Sequence, residues 1–165
     1  MGEFLKSIGG FIMGIVGIIV IGVIVGFFIF GGVWLSTKVL PWLFIIILFV
    51  LVLDILIILP LGLFKKTKGV AAIGLVVSSY VYGLTLWFWA FLLTYFIWGA
   101  TAVIIGLFIA GVGVVPIAML ATAIKGQWVD TGQLFLLLVL TFGSRILGFY
   151  FADRADELAS ESSYE

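Results

Sequence analysis

Long apolar stretches, separated by short charged or glycine-containing breaks, dominate the pattern of this chain. A bilayer core about 30 Å thick requires roughly 20 apolar helical residues, so each long stretch predicts a membrane-spanning helix. The pattern predicts five spans, over residues 8–36, 39–64, 69–98, 101–124 and 131–152.

The third and fourth spans come from a single uncharged stretch, which is too long for one crossing. We predict the break at Gly99, because glycine can end a helix in the left-handed conformation and Thr101 can cap the next helix. Lys125 followed by Gly126 predicts the end of the fourth span for the same kind of reason, since a cation and then a glycine favour a helix terminus.

Composition supports this interpretation and narrows the possible chemistry. The chain is 65% hydrophobic and 10% charged, and it contains neither His nor Cys, whereas soluble domains are about 45–50% apolar and about 25% charged. We therefore predict an all-α membrane protein, a polytopic transmembrane helix bundle over residues 1–152 with an acidic, flexible tail over residues 153–165. Disulfides, thiolate nucleophiles and imidazole bases are excluded, and we expect no cofactor and no metal.

The last apolar stretch leaves one alternative open, which is four spans followed by a membrane-parallel C-terminal helix. A helix lying in the interface needs a broad charged face. This segment carries only a narrow polar stripe, formed by Thr141, Ser144, Arg145 and Gly148. The stripe favours a fifth span packed against other helices.

The lysines near the predicted boundaries indicate an orientation. The positive-inside rule counts Lys and Arg close to span ends. With five spans, this count favours a cytoplasmic N-terminus and an external C-terminus, and it places the Lys65–Lys68 loop in the cytoplasm.

Small residues recur at spacings that suit close helix packing in lipid. The candidate packing positions lie on two faces of the first span and in one stripe of the fourth: Gly10, Gly14, Gly17, Gly22, Gly26, Ala102, Gly106, Ala110 and Gly113. They predict contacts within one protomer, between protomers, or both.

Asp54 and Arg145 are the two charges that fall well inside predicted spans. Intramembrane charges are costly and normally face the bundle and pair, so they form a candidate ion pair. Their predicted depths differ by several Å, which weighs against pairing. Hydroxyl-bearing residues nearby form a candidate polar groove: Ser78, Ser79, Tyr82, Thr85, Thr141 and Ser144.

Two functional hypotheses remain. No residues are spaced for nucleophilic or acid–base catalysis, so we do not expect an enzyme, and a net charge of zero argues against nucleic-acid binding. The first hypothesis is a non-catalytic integral membrane subunit that works by helix assembly, in contact with lipid and with a second copy or another membrane protein. The alternative is a small channel or transporter for protons, ions or a small apolar solute, which uses Asp54, Arg145 and the hydroxyl stripe.

Overall fold

The structure, a computed structural model, describes residues 2–65, 67–109 and 111–162, and these residues are helical except for short turns. Helix α1 covers Gly2–Leu53, a π-helical turn covers Asp54–Ile58, and α2 covers Leu59–Leu63. After a short turn, α3 covers Lys68–Phe108, α4 covers Val114–Ile124 and α5 covers Trp128–Ser162. The surroundings of side chains are described for residues 13–65, 67–109 and 111–157.

Three helical segments within these ranges are long and apolar enough to cross a membrane: Met13–Leu63, Lys68–Phe108 and Trp128–Glu157. This finding is compatible with an integral membrane protein, as the composition predicts. The count of five spans is not supported, because two of the four predicted boundaries do not separate membrane-length helices.

The first incorrect boundary is the one between residues 36 and 39, where α1 continues without a break. The hydroxyl of Thr37 donates to the carbonyl of Trp34 at 2.8 Å, so this polar residue is satisfied within its own helix. Pro41 also lies inside α1. A proline removes one backbone hydrogen bond, which membrane helices tolerate.

The second error concerns the predicted fourth span. The break at Gly99 is present, with φ of 79°, but residues 100–108 and α4 then form the two arms of a helical hairpin, whose described turn residues are 109 and 111–113. A Cβ placed on Gly106 would lie 3.0 Å from the Cα of Val114, although eight residues of straight helix separate two positions by about 12 Å. Each arm of this hairpin is shorter than a bilayer crossing requires.

Helix α5 runs antiparallel to α3, which argues against a C-terminal helix lying flat on the membrane. A Cβ on Gly69 would be 4.0 Å from the Cβ of Ala155, and a Cβ on Gly83 would be 3.2 Å from a methyl group of Thr141. The residue numbers therefore rise on one helix as they fall on the other. The C-terminal part of α5 lies beside the start of α3, and it remains helical into the segment predicted to be a tail.

Helix α3 is central, since α1, α4 and α5 all pack against it. The buried apolar cluster combines residues from these elements, including Ile29 of α1, Phe91 and Val103 of α3, Val114 of α4 and Leu134 of α5. The fold thus places α3 between α1 on one side and the α4–α5 pair on another, and the polar residues of α3 face both neighbours.

Candidate functional site: two polar centres around α3

The first polar centre is the carboxylate of Asp54, which is 5% exposed. The hydroxyl of Ser78 donates to one carboxylate oxygen at 2.7 Å, and the hydroxyl of Tyr82 donates to the other at 2.8 Å. Both donors lie on α3, one helical turn apart, so they reach the same side chain. A buried carboxylate is tolerable only when such donors replace water, and here each oxygen has one.

Asp54 is also the first residue of the π-turn. The backbone N–H of Leu59 donates to the carbonyl of Asp54, which is the five-residue spacing of a π-helix. Pro60 follows in the next turn and contributes no N–H to the backbone ladder. Single π-turns within α-helices occur frequently at functional sites. This one begins at Asp54, the only charged residue that is buried among the described residues, and it shifts the helical register there.

Small side chains bring the neighbouring helices close to this turn. A Cβ on Gly74 of α3 would lie 2.9 Å from a methyl group of Ile58, and Gly62 of α2 accommodates the ring of Phe151. These contacts hold the Asp54 segment between α3 and α5. A cavity of about 240 Å³ lies beside the carboxylate and is lined by Asp54, Tyr82, Ser144 and apolar side chains.

The second polar centre is the guanidinium of Arg145 on α5. Its Nε donates to the hydroxyl of Ser79 at 3.4 Å, and its Cζ lies 4.9 Å from the ring centroid of Tyr80. Among the residues whose side chains are described, one ion pair is formed. It joins the exposed side chains of Arg154 and Glu157, with 3.0 Å between nitrogen and oxygen. No described carboxylate therefore lies within 4.0 Å of Arg145.

The candidate pair of Asp54 and Arg145 is accordingly not formed in this protomer. The reason is the position of α3. Ser78 and Tyr82 face Asp54, whereas Ser79 and Tyr80, which lie at other angles around the helix, face Arg145.

A groove extends from Arg145 between α3, α4 and α5. Its volume is about 420 Å³ and its walls are almost entirely apolar, including Leu84, Trp87, Pro116 and Leu138, while Arg145 provides the charge. The groove is partly open to the surroundings of the protein. This cation beside an apolar groove is the second arrangement in the structure that suits a ligand.

The predicted polar groove therefore divides into two separate places. Ser78, Tyr82 and Ser144 lie at the Asp54 cavity, whereas Ser79 and Thr141 line the Arg145 groove. The hydroxyls of Thr85 and Thr141 donate to carbonyls one turn earlier on their own helices, at 2.9 and 2.7 Å.

The predicted packing residues also behave in two ways. Gly106 and Gly113 make close contacts across the turn of the hairpin, and Ala102 is buried. A Cβ on Gly14, Gly17, Gly22 or Gly26 would meet no atom within 4 Å. The side-chain surroundings of Gly10 and the whole of Ala110 lie outside the described residues.

Two structural contacts near the groove were not predicted from the sequence. The indole N–H of Trp87 donates to the carbonyl of Gly111 at 2.8 Å. The hydroxyl of Thr94 donates to the backbone carbonyl of Val114 at 3.3 Å. These side chains satisfy backbone groups at the turn of the hairpin. Such partners join residues distant in sequence, so periodicity carries no signal for them.

Comparison with known proteins identifies no relative: no family model, no curated protein and no solved structure matches the chain.

Proposed function

We propose that this chain is a non-catalytic integral membrane subunit that works by assembling with a second copy of itself. The observation that carries this proposal is the exposure of residues 13–24 of α1. Every one of these residues is exposed in the protomer, and the buried positions of α1 begin only after Ile24.

The chemistry of this segment suits helix association in lipid. It presents large aliphatic side chains such as Met13, Ile18 and Ile21, each more than 60% exposed. Between them, Gly14, Gly17 and Gly22 leave open space where another helix could approach closely. Close packing over small residues is a main source of helix association in membranes.

The length of α1 adds a second argument. Met13–Leu63 contains 51 residues, and its most apolar 18-residue window has a mean hydropathy of 3.3. The whole segment corresponds to about 77 Å of helix. That is more than twice the thickness of a hydrocarbon core. Contacts with a second protomer would cover apolar surface that a single crossing leaves outside the bilayer.

Disulfide cross-linking tests this proposal, since the chain contains no native cysteine. We expect an Ile18→Cys variant in liposomes to form a covalent dimer on oxidation, and Gly17→Leu in the same background to reduce the dimer yield. Gly132→Leu is the matched control, because Gly132 is also a helical glycine with no atom near its Cβ position. Equal yields from Ile18→Cys and from Val129→Cys, an exposed position on α5, would contradict the proposal.

A small channel or transporter is the second candidate, favoured by the cavity that reaches Asp54. A buried carboxylate with two hydroxyl partners can release and accept a proton or hold a cation. Proteoliposomes containing the chain should then conduct protons or a cation, and Asp54→Asn should abolish the flux. Flux that is absent, or that persists in Asp54→Asn, excludes this role.

We also propose a cytoplasmic position for the Lys65–Lys68 loop and for the C-terminal part of α5. The lysines support the first assignment through the positive-inside rule. The contact between Gly69 and Ala155 supports the second, because it brings the two segments to the same end of α3. Helix α1 continues to Leu63 as one helical run, so a single crossing would place the N-terminus on the opposite side from this loop, and the predicted cytoplasmic N-terminus is not proposed together with it.

A further inference from the structure

The groove beside Arg145 combines three properties: a cation with no acidic partner among the residues whose side chains are described, apolar walls, and a position between the ends of a membrane-length helix. We propose that it binds a hydrophobic carboxylic acid of the fatty-acid class, with the carboxylate on Arg145 and the hydrocarbon chain along the groove. This inference does not depend on the assembly proposed above.

The charge of Arg145 is the first argument. A guanidinium offers five N–H donors in a planar fork that matches a carboxylate. In the described structure, Nε is used by Ser79, and the ring of Tyr80 lies against the guanidinium. No described carboxylate reaches the two terminal nitrogens. An intramembrane cation of this kind normally has an anionic or polar partner, and a bound carboxylate would supply one.

The shape of the groove is the second argument. Its volume of about 420 Å³ lies in the range of small-molecule sites. Leu84, Trp87 and Leu138 line it on α3 and α5, and Pro116 lines it on α4. Trp87 is held by its hydrogen bond to Gly111, so this part of the wall is positioned before any ligand arrives. Apolar walls with one charged end fit an amphiphile with a single anionic head.

The depth of the site distinguishes a free acid from a phospholipid. Arg145 contacts Ser79, which is eleven residues from the beginning of α3 at Lys68, or about 16 Å along the helix. A phospholipid headgroup carries a phosphate and a glycerol with two chains, whereas a fatty acid has only a carboxylate and one chain, so the acid can enter between helices more easily. We therefore assign the site to the free carboxylate.

A quenching experiment on the full chain tests this assignment. The chain in nanodiscs of zwitterionic phosphatidylcholine is titrated with dibrominated stearate, whose bromine atoms quench nearby tryptophan. We expect saturable quenching, since Trp87 lines the groove. Arg145→Gln should weaken binding about tenfold or more, because a hydrogen bond to a charged group is lost. Arg145→Lys, which keeps the charge, should retain most of the affinity.

Controls separate this proposal from its competitors. Arg154→Gln removes an exposed arginine on the same helix and should leave binding unchanged. Equal binding by stearate and by its methyl ester would overturn the proposal, since the ester has no charge. Equal binding by the chain and by Arg145→Gln would also overturn it. Arg145-dependent quenching by dibrominated phosphatidylglycerol, without binding of stearate, would assign the site to a phospholipid headgroup instead.

Discussion

At the scale of single residues, the structure shows how one chain can keep a carboxylate and a guanidinium apart within an apolar bundle. Each charge is held by hydroxyl or aromatic groups of α3 rather than by the opposite charge. Ser78 and Tyr82 contribute the donors at Asp54, and these are neutral groups. The carboxylate is therefore satisfied by directed hydrogen bonds, so its stability depends on their geometry.

Replacement of Tyr82 by Phe tests that dependence. Tyr82 is fully buried, and the change leaves one carboxylate oxygen without its donor, so we expect a loss of about 1–3 kcal/mol in the free energy of unfolding. Thermal or denaturant-induced unfolding in detergent measures the loss.

Tyr80→Phe is the matched control for this change, because Tyr80 is 64% exposed on the same helix; its effect should stay within about 0.5 kcal/mol. In an Asp54→Asn background, the effect of Tyr82→Phe should become smaller. An unchanged effect in that background would show that Tyr82 stabilises the fold by packing alone.

At the scale of elements, the turn of the helical hairpin depends on backbone conformations that few residues adopt. Gly111 has φ of 71°, in the left-handed region where side chains are disfavoured. Gly113 lies against Ile109 and the carbonyl of Gly106, which leaves no room for a Cβ. Glycines therefore permit both the reversal of the chain and the close approach of the two arms.

We expect Gly111→Ala to destabilise the fold by about 1–2 kcal/mol, the cost of a left-handed conformation for an L-residue. Gly132→Ala offers the opposite case, because Gly132 lies in α5 with open space around its Cβ position. There, alanine should raise stability by about 0.5–1 kcal/mol. Unfolding curves of the two variants should therefore shift in opposite directions, and shifts of the same sign would contradict the proposed role of the turn.

Prediction from sequence succeeded for local signals at this scale and failed for longer-range ones. Gly99 and Gly126 both have a positive φ, as expected for glycines at helix breaks, although Gly99 has a ψ of −173° and is therefore not in the left-handed helical conformation. The π-turn at Asp54 and the reversal near Gly111 were not anticipated. Both are stabilised by contacts between distant residues, such as Tyr82 with Asp54 and Trp87 with Gly111, and hydropathy along the chain does not encode such contacts.

At the scale of the whole molecule, the antiparallel pairing of α3 with α5 determines which ends of the chain meet. Composition predicted a helical membrane protein, and three membrane-length helices agree with it. The predicted number of spans is not supported, because an apolar run of suitable length can also form a hairpin. Length and hydropathy indicate how much lipid-compatible surface a segment has. They do not indicate whether the segment continues straight or reverses its direction.

A designed disulfide tests the pairing of the two helices. The Cβ positions at Gly69 and Ala155 are 4.0 Å apart, within the range of about 3.5–4.5 Å that disulfides require. Because the chain has no cysteine of its own, the double variant Gly69→Cys/Ala155→Cys should form an intramolecular bridge on oxidation, detected by mass spectrometry of a digest. Gly69→Cys with Val129→Cys should not, and a bridge in that second variant would contradict the antiparallel pairing.

The helical hairpin formed by the end of α3 and by α4 also has a consequence for the order of events during biosynthesis. Its arms are too short to enter the bilayer as independent spans, and its turn carries backbone groups that lipid cannot satisfy. The partners of that turn are Trp87 and Thr94, which precede it in the chain, and its last arm is joined to the following helix by a hydrogen bond between the hydroxyls of Thr131 and Thr122. Translocation should therefore deliver the part of α3 that precedes Gly99 first and hold the hairpin at the membrane boundary, so that the hairpin enters only when α5 has been synthesised and can pack against it.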